Sequence, residues 1–124
     1  MIHAIILFAH GARDPAWSRP FEAVAERLRA LQPDAEVRLA YLEFMSPSLV
    51  EAGQELVQSG AAEIRIVPMF LGAGGHVRKD LPRLLAALQQ QHPQVTWNLQ
   101  GTIGEAPSVI EALAREAAGM GRTP

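Results

Sequence analysis

Ile2-His3-Ala4-Ile5-Ile6-Leu7-Phe8-Ala9-His10-Gly11 is the stretch on which the fold turns. Ile2 and residues 4–9 form an apolar run rich in branched side chains, which predicts a strand buried on both faces. Such a strand needs helices on each side of its sheet. The run is far too short to cross a bilayer, and Met1, Ile2 and His3 ahead of it supply no basic leader region. A soluble, cytoplasmic protein without a membrane partner is therefore expected. Residues 11–14 and Pro15 break the strand.

Outward from that strand, Phe21, Val24, Ala25, Leu28 and Leu31 recur at helical spacing, with Pro20 in the first turn and Pro33 just past the end. A second strand is expected over 37–44. Ser46-Pro47 reads as a helix start, and Leu49, Gly53, Leu56 and Val57 form an apolar stripe that stops near Gly60. A third strand is expected over 64–70, with Pro68 near its exit. The loop Gly72-Ala73-Gly74-Gly75-His76 then leads to a helix striped by Leu81, Leu84, Leu85 and Leu88, with Pro82 placed in its first turn. Residues 95–99 read as a short fourth strand, and Val109, Ile110, Leu113, Ala114 and Ala117 as the last helix.

The order is β-α-β-α-β-α-β-α, which predicts an α/β fold: a single four-stranded parallel sheet with right-handed crossovers and helices on both faces. The chain has 124 residues, 48% hydrophobic and 19% charged, so one folded domain is expected over 1–118, with a frayed tail over 119–124. A net charge of −2 argues against a broad electrostatic footprint for nucleic acid, and no nucleic-acid partner is expected. The absence of cysteine excludes disulfides, thiolate metal sites, iron–sulfur clusters and cysteine nucleophiles.

Open parallel sheets bind ligands beyond the carboxyl ends of their strands. His10 follows the first strand, Glu43 ends the second, and His76 lies in the loop after the third, all at that edge. Imidazole and carboxylate together suit divalent first-row metals, whereas calcium or magnesium would want more oxygen. Each residue has an ordinary reading too, as a loop histidine bonded to backbone or a solvated strand end; the joint placement raises the functional one. Gly72 to Gly75 are no dinucleotide fingerprint, since neither the spacing nor the position after the first strand fits. His3 and His92 fall at the far edge and in a helix-ending turn, and read as structural. Arg13 and Arg19 follow His10, while Arg78, Lys79 and Arg83 follow His76, so five of the eleven basic side chains flank the two histidine loops. Arginine there offers paired donors to a polycarboxylate.

These residues resemble the small, single-lobe form of the sirohydrochlorin chelatases, which include the cobaltochelatases of cobalamin biosynthesis and their siroheme relatives. The likeness is carried by His10-Gly11-Ala12-Arg13-Asp14-Pro15 after the first strand and by Leu42-Glu43-Phe44 with Pro47-Ser48-Leu49. Most specific is Pro68-Met69-Phe70-Leu71 leading to Gly74-Gly75-His76-Val77-Arg78-Lys79-Asp80-Leu81-Pro82. Ala12 stands where the family often has serine. The resemblance implies ATP-independent insertion of a divalent metal, Co²⁺ first and Fe²⁺ or Ni²⁺ next, into sirohydrochlorin or a related tetrapyrrole. It implies no tightly bound cofactor, the metal being substrate, and a homodimer that supplies both walls of the cleft. It assigns His10 and His76 to metal handling and catalysis and Glu43 to catalysis; Arg13 and Arg78, from their place beside the histidines, and Gly74 and Gly75 are expected to bind the substrate. Two other readings stay open: a non-catalytic metal or tetrapyrrole carrier, and a histidine-based phosphoryl-transfer enzyme. The second is disfavoured because Ala9 stands where such enzymes place a phosphate-holding arginine.

Overall fold

The computed structural model describes residues 2–72 and 74–121, apart from the side chains of Ile2 and His76. Four strands, β1 (Ile2–Ala9), β2 (Ala35–Tyr41), β3 (Ala61–Pro68) and β4 (Thr96–Leu99), alternate with four helices, α1 (Arg19–Leu31), α2 (Leu49–Gln58), α3 (Gly75–Gln91) and α4 (Pro107–Gly119). All pair in parallel in the order β2-β1-β3-β4. The chain leaves β1 towards β2 on one side and returns to β3 on the other, so the order reverses at β1, where crevices form in such sheets.

The alternation of β1 explains its continuous hydrophobicity. Ala4, Ile6 and Phe8 join Leu49, Leu56, Leu88 and Trp97 in the core under α2 and α3. Ile5 and Leu7 join Ala25 and Val37 in a smaller cluster under α1. Gly53 lets α2 come close, because a Cβ there would lie 2.7 Å from Leu88 and 3.1 Å from Trp97. The other face is less complete. No residue of α4 is buried, and its Val109 and Leu113 line, with Leu7, Leu28, Leu31 and Met69, an apolar groove of about 750 Å³. No helix of the described residues is long and apolar enough to cross a membrane.

Element existence and order follow the sequence reading; several bounds move. The second strand stops at Tyr41, not at 44, because the backbone after it turns away: Tyr41 N–H donates to Pro47 O at 2.9 Å. The helix start attributed to Ser46-Pro47 is two residues later, where Ser48 caps α2 and Glu51 completes a reciprocal capping box. The third strand is Ala61–Pro68 in place of 64–70. The third helix begins at Gly75, which moves His76 out of the loop and into the first turn, and sets Pro82 eight positions in rather than in the first turn. The low helix propensity of glycine hid that start. At the tail, Gly119 still belongs to α4, and residues 122–124 lie outside the described residues.

Candidate functional site

Beyond the last ladder residues of β1 and β2 the two chains stay hydrogen-bonded. Leu42 N–H donates to Ala9 O and Glu43 N–H to His10 O, each at 3.0 Å. Gly11 makes this approach possible: its φ is +92°, and a Cβ there would collide with the Glu43 carbonyl oxygen. The result sets two side chains against each other. His10 Nε2 lies 4.0 Å from Glu43 Oε2, with the side chains 47% and 41% exposed. His10 Nδ1 lies 3.1 Å from Gly11 O. A carbonyl only accepts, so the contact is a hydrogen bond in the tautomer with its hydrogen on Nδ1, and in that neutral form Nε2 keeps a lone pair.

The rest of the His10 loop is built on short-range contacts. Asp14 caps the 3₁₀ turn Pro15–Ser18 by accepting from Ala16 N–H at 2.9 Å. Arg13 is exposed, and its guanidinium carbon stands 4.8 Å from the centroid of the Phe44 ring. Phe44 has φ +65°, and Met45 N–H donates across it to Glu43 O at 2.8 Å. That is a γ-turn of the strained, positive-φ kind, around a residue that is not glycine. Burial raises the Tyr41 phenol above its ordinary pKa, a hydrogen bond with Ser18 working against it, so the group stays protonated at neutral pH and serves as wall.

The third candidate loop leads into α3. Gly74 is its N-cap, and Arg78 N–H donates to Gly74 O at 3.0 Å. The backbone of His76 lies in this first turn, while its side chain and all of Ala73 lie outside what the structure describes. Gly74 has an ordinary φ of −72°, and a Cβ at Gly72, Gly74 or Gly75 would meet nothing within 4 Å. Neither conformation nor packing therefore calls for glycine at 74. Arg78 is exposed beside them. One turn on, Asp80 and Arg83 pair at 2.9 Å, and both line a cleft of about 270 Å³ with Glu43, Tyr41 and Ser48.

The structure thus sets His10 beside Glu43 and Arg13 over the neighbouring Phe44, and places Gly74 at the N-cap and Gly75 and Arg78 in the first turn of α3, whose next turn lines a cleft with Glu43. The sequence reading counts Arg83 among the basic residues after His76 and gives Asp80 no role; the structure pairs the two. Their helical spacing is readable, but their place on the cleft that Glu43 also lines depends on how α3 packs over the sheet. It also gave Phe44 no role, since nothing in the one-letter pattern signals a positive φ at phenylalanine. Among the described residues no three His, Asp or Glu side chains gather to hold a metal ion. What His10 and Glu43 offer is a lone pair and a carboxylate open to solvent, fit to pass on a cation or proton rather than to cage one.

Comparisons with known proteins converge on one family. The family model described as CbiX matches residues 4–119. The sirohydrochlorin cobaltochelatase of Methanocaldococcus jannaschii is 31% identical over 91 residues, covering 73% of this chain and 64% of that protein. That of Saccharolobus solfataricus is 37% identical over 81 residues, covering 65% and 62%. The chain spans 57–64% of the length of the first four such relatives. Among solved structures, a Marinobacter aquaeolei VT8 protein assigned to cobalamin biosynthesis as CbiX superposes with a TM-score of 0.82 at 34% identity, covering 94% of both chains. The sirohydrochlorin chelatase SirB of Bacillus subtilis subspecies spizizenii, in complex with cobalt, shares the fold with a TM-score of 0.83 at 23% identity. That match covers 97% of this chain but 51% of the other.

Proposed function

This chain belongs to the CbiX family, and on that premise we propose that it inserts a divalent metal ion, Co²⁺ before Fe²⁺ or Ni²⁺, into sirohydrochlorin without ATP. Support comes from relatives named sirohydrochlorin cobaltochelatase and, on this chain itself, from one observation: the His10–Glu43 pair, 4.0 Å apart and open to solvent at the carboxyl edge of the sheet.

Metallation exchanges one M²⁺ for two N–H protons of the macrocycle, so the site must present an ion and remove protons. With Nδ1–H engaged by the Gly11 carbonyl, His10 has its Nε2 lone pair available for either task. Glu43 adds negative charge that attracts the cation and can relay a proton. His76, in the first turn of α3, is the second metal-handling group of this reading. Sirohydrochlorin is an octacarboxylate. Arg13 and Arg78 supply donors for it, and the first turn of α3 at Gly74 and Gly75 presents backbone N–H groups that no helical carbonyl can satisfy. The reading takes a second copy of the chain as the opposite wall of the cleft, which light scattering on the purified protein would test.

The experiment for the activity is anaerobic turnover of sirohydrochlorin with Co²⁺, Fe²⁺ and Ni²⁺ in turn, followed by absorbance against a no-enzyme control. Acceleration, fastest with Co²⁺, is expected. Tight binding of the tetrapyrrole with no acceleration by any metal would overturn the enzymatic reading in favour of a carrier.

A further inference from the structure

We infer that Phe44 is the stacking platform on which the flat macrocycle lies, with Arg13 clamped to the ring so that its donors reach a carboxylate at the macrocycle rim. The inference rests on the chelatase reading and adds to it a residue that fixes substrate pose.

Phe44 is held in a costly conformation that serves no packing. Its φ of +65° is one that bulky L-residues avoid, and the Met45 N–H to Glu43 O bond locks the turn around it. A core phenylalanine would recover that cost by burial, as Phe8 does at 1% exposure, yet Phe44 is 57% exposed. Strain kept at an exposed position next to reactive groups points to use. The ring follows Glu43 directly in the chain, and one face carries the Arg13 guanidinium at 4.8 Å. Arginine stacked in this way keeps its in-plane N–H donors free for carboxylates. The opposite face is then offered to a conjugated, polyanionic ring, which asks for both a π-surface and a cation.

Titration of metal-free sirohydrochlorin, followed by absorbance under anaerobic conditions over a range of salt, compares wild type with Phe44→Gly, Phe44→Leu, Phe44→Trp and Arg13→Gln. Glycine accepts a φ of 65° without strain, so Phe44→Gly is expected to melt no lower than wild type while its Kd rises about tenfold, the scale of one aromatic stacking contact. Phe44→Leu keeps the bulk without the ring and is expected to lose as much; Phe44→Trp is expected to stay within about twofold. Arg13→Gln alone should flatten the salt dependence. An unchanged Kd in Phe44→Gly overturns the inference, as does a loss that merely reproduces the salt response of Arg13→Gln. A porphyrin octacarboxylate run in parallel separates the two readings. Phe44-dependent binding of that ring by a protein that inserts no metal sinks the chelatase reading and leaves the platform standing. Normal insertion by Phe44→Gly at wild-type KM does the reverse. Binding of neither ring to wild type overturns both.

Discussion

Phe8 and His10 are two residues apart in the chain, yet one is 1% exposed in the core under α2 and α3 and the other has nearly half its side chain open at the carboxyl edge. The regions they belong to are held by different forces. Under α2 and α3, Ile6, Phe8, Leu56, Ile64, Ile66 and Leu88 are each at most 1% exposed and mutually packed, so their identity is fixed by volume. At the edge, the backbone is fixed by hydrogen bonds between the β1 and β2 exits, while His10 extends into solvent with contacts to Gly11 O and Glu43, and Arg13 and Phe44 extend into solvent against each other. Stability and chemistry are therefore separable in this chain, and substitutions in one region should leave the other's readout nearly untouched.

The largest effect is expected from His10→Ala. Loss of an acid–base and ligand group should lower insertion by about 10²–10⁴-fold, while an exposed substitution changes unfolding free energy by no more than about 0.5 kcal/mol. Turnover assays beside thermal melts check both halves. Leu88→Ala is the mirror image: a cavity at a fully buried position costs about 2–5 kcal/mol, with turnover per folded molecule retained, as denaturant titration and active-site counting would show. Gly11→Ala breaks the comparison on purpose. A Cβ would strike the Glu43 carbonyl in a backbone of positive φ, so both stability and insertion should fall, and a variant that kept either would show the β1–β2 exit to be less rigid than its geometry. Glu43→Gln keeps shape and removes charge; insertion should drop by about 10–100-fold with the melting temperature unchanged.

The smallest effect is electrostatic, at the N-terminus of α2. Backbone and side-chain hydrogen bonds with Ser48 hold the Glu51 carboxyl below the usual glutamate pKa. A group whose folded pKa is depressed contributes stability above its unfolded pKa and loses it as pH falls through the folded value. Acid titration of stability should therefore be slightly steeper below pH about 4.5 in wild type than in Glu51→Ala.

Much of this was legible in the chain because burial imposes periodicity. Ile5 and Leu7 on one face and Ile6 and Phe8 on the other require a two-sided sheet, and the leucine spacing from Leu81 to Leu88 requires a helix against it. His10 and Glu43 were legible as members of one edge because each stands at the carboxyl end of a strand. The remainder depends on facts a one-dimensional pattern does not carry. Gly75 opens a helix although glycine disfavours one. Asp80 and Arg83 share a cleft with Glu43 only through the tertiary packing of α3. Phe44 takes a backbone region that composition assigns to glycine or asparagine.

The most direct test of the central claim is anaerobic Co²⁺ insertion into sirohydrochlorin by wild type and His10→Ala at matched folded concentration. Rapid absorbance change with wild type and a rate near the no-enzyme control with His10→Ala is the predicted result. Equal acceleration by the two proteins would contradict the account, and would move the chemistry away from the His10–Glu43 pair.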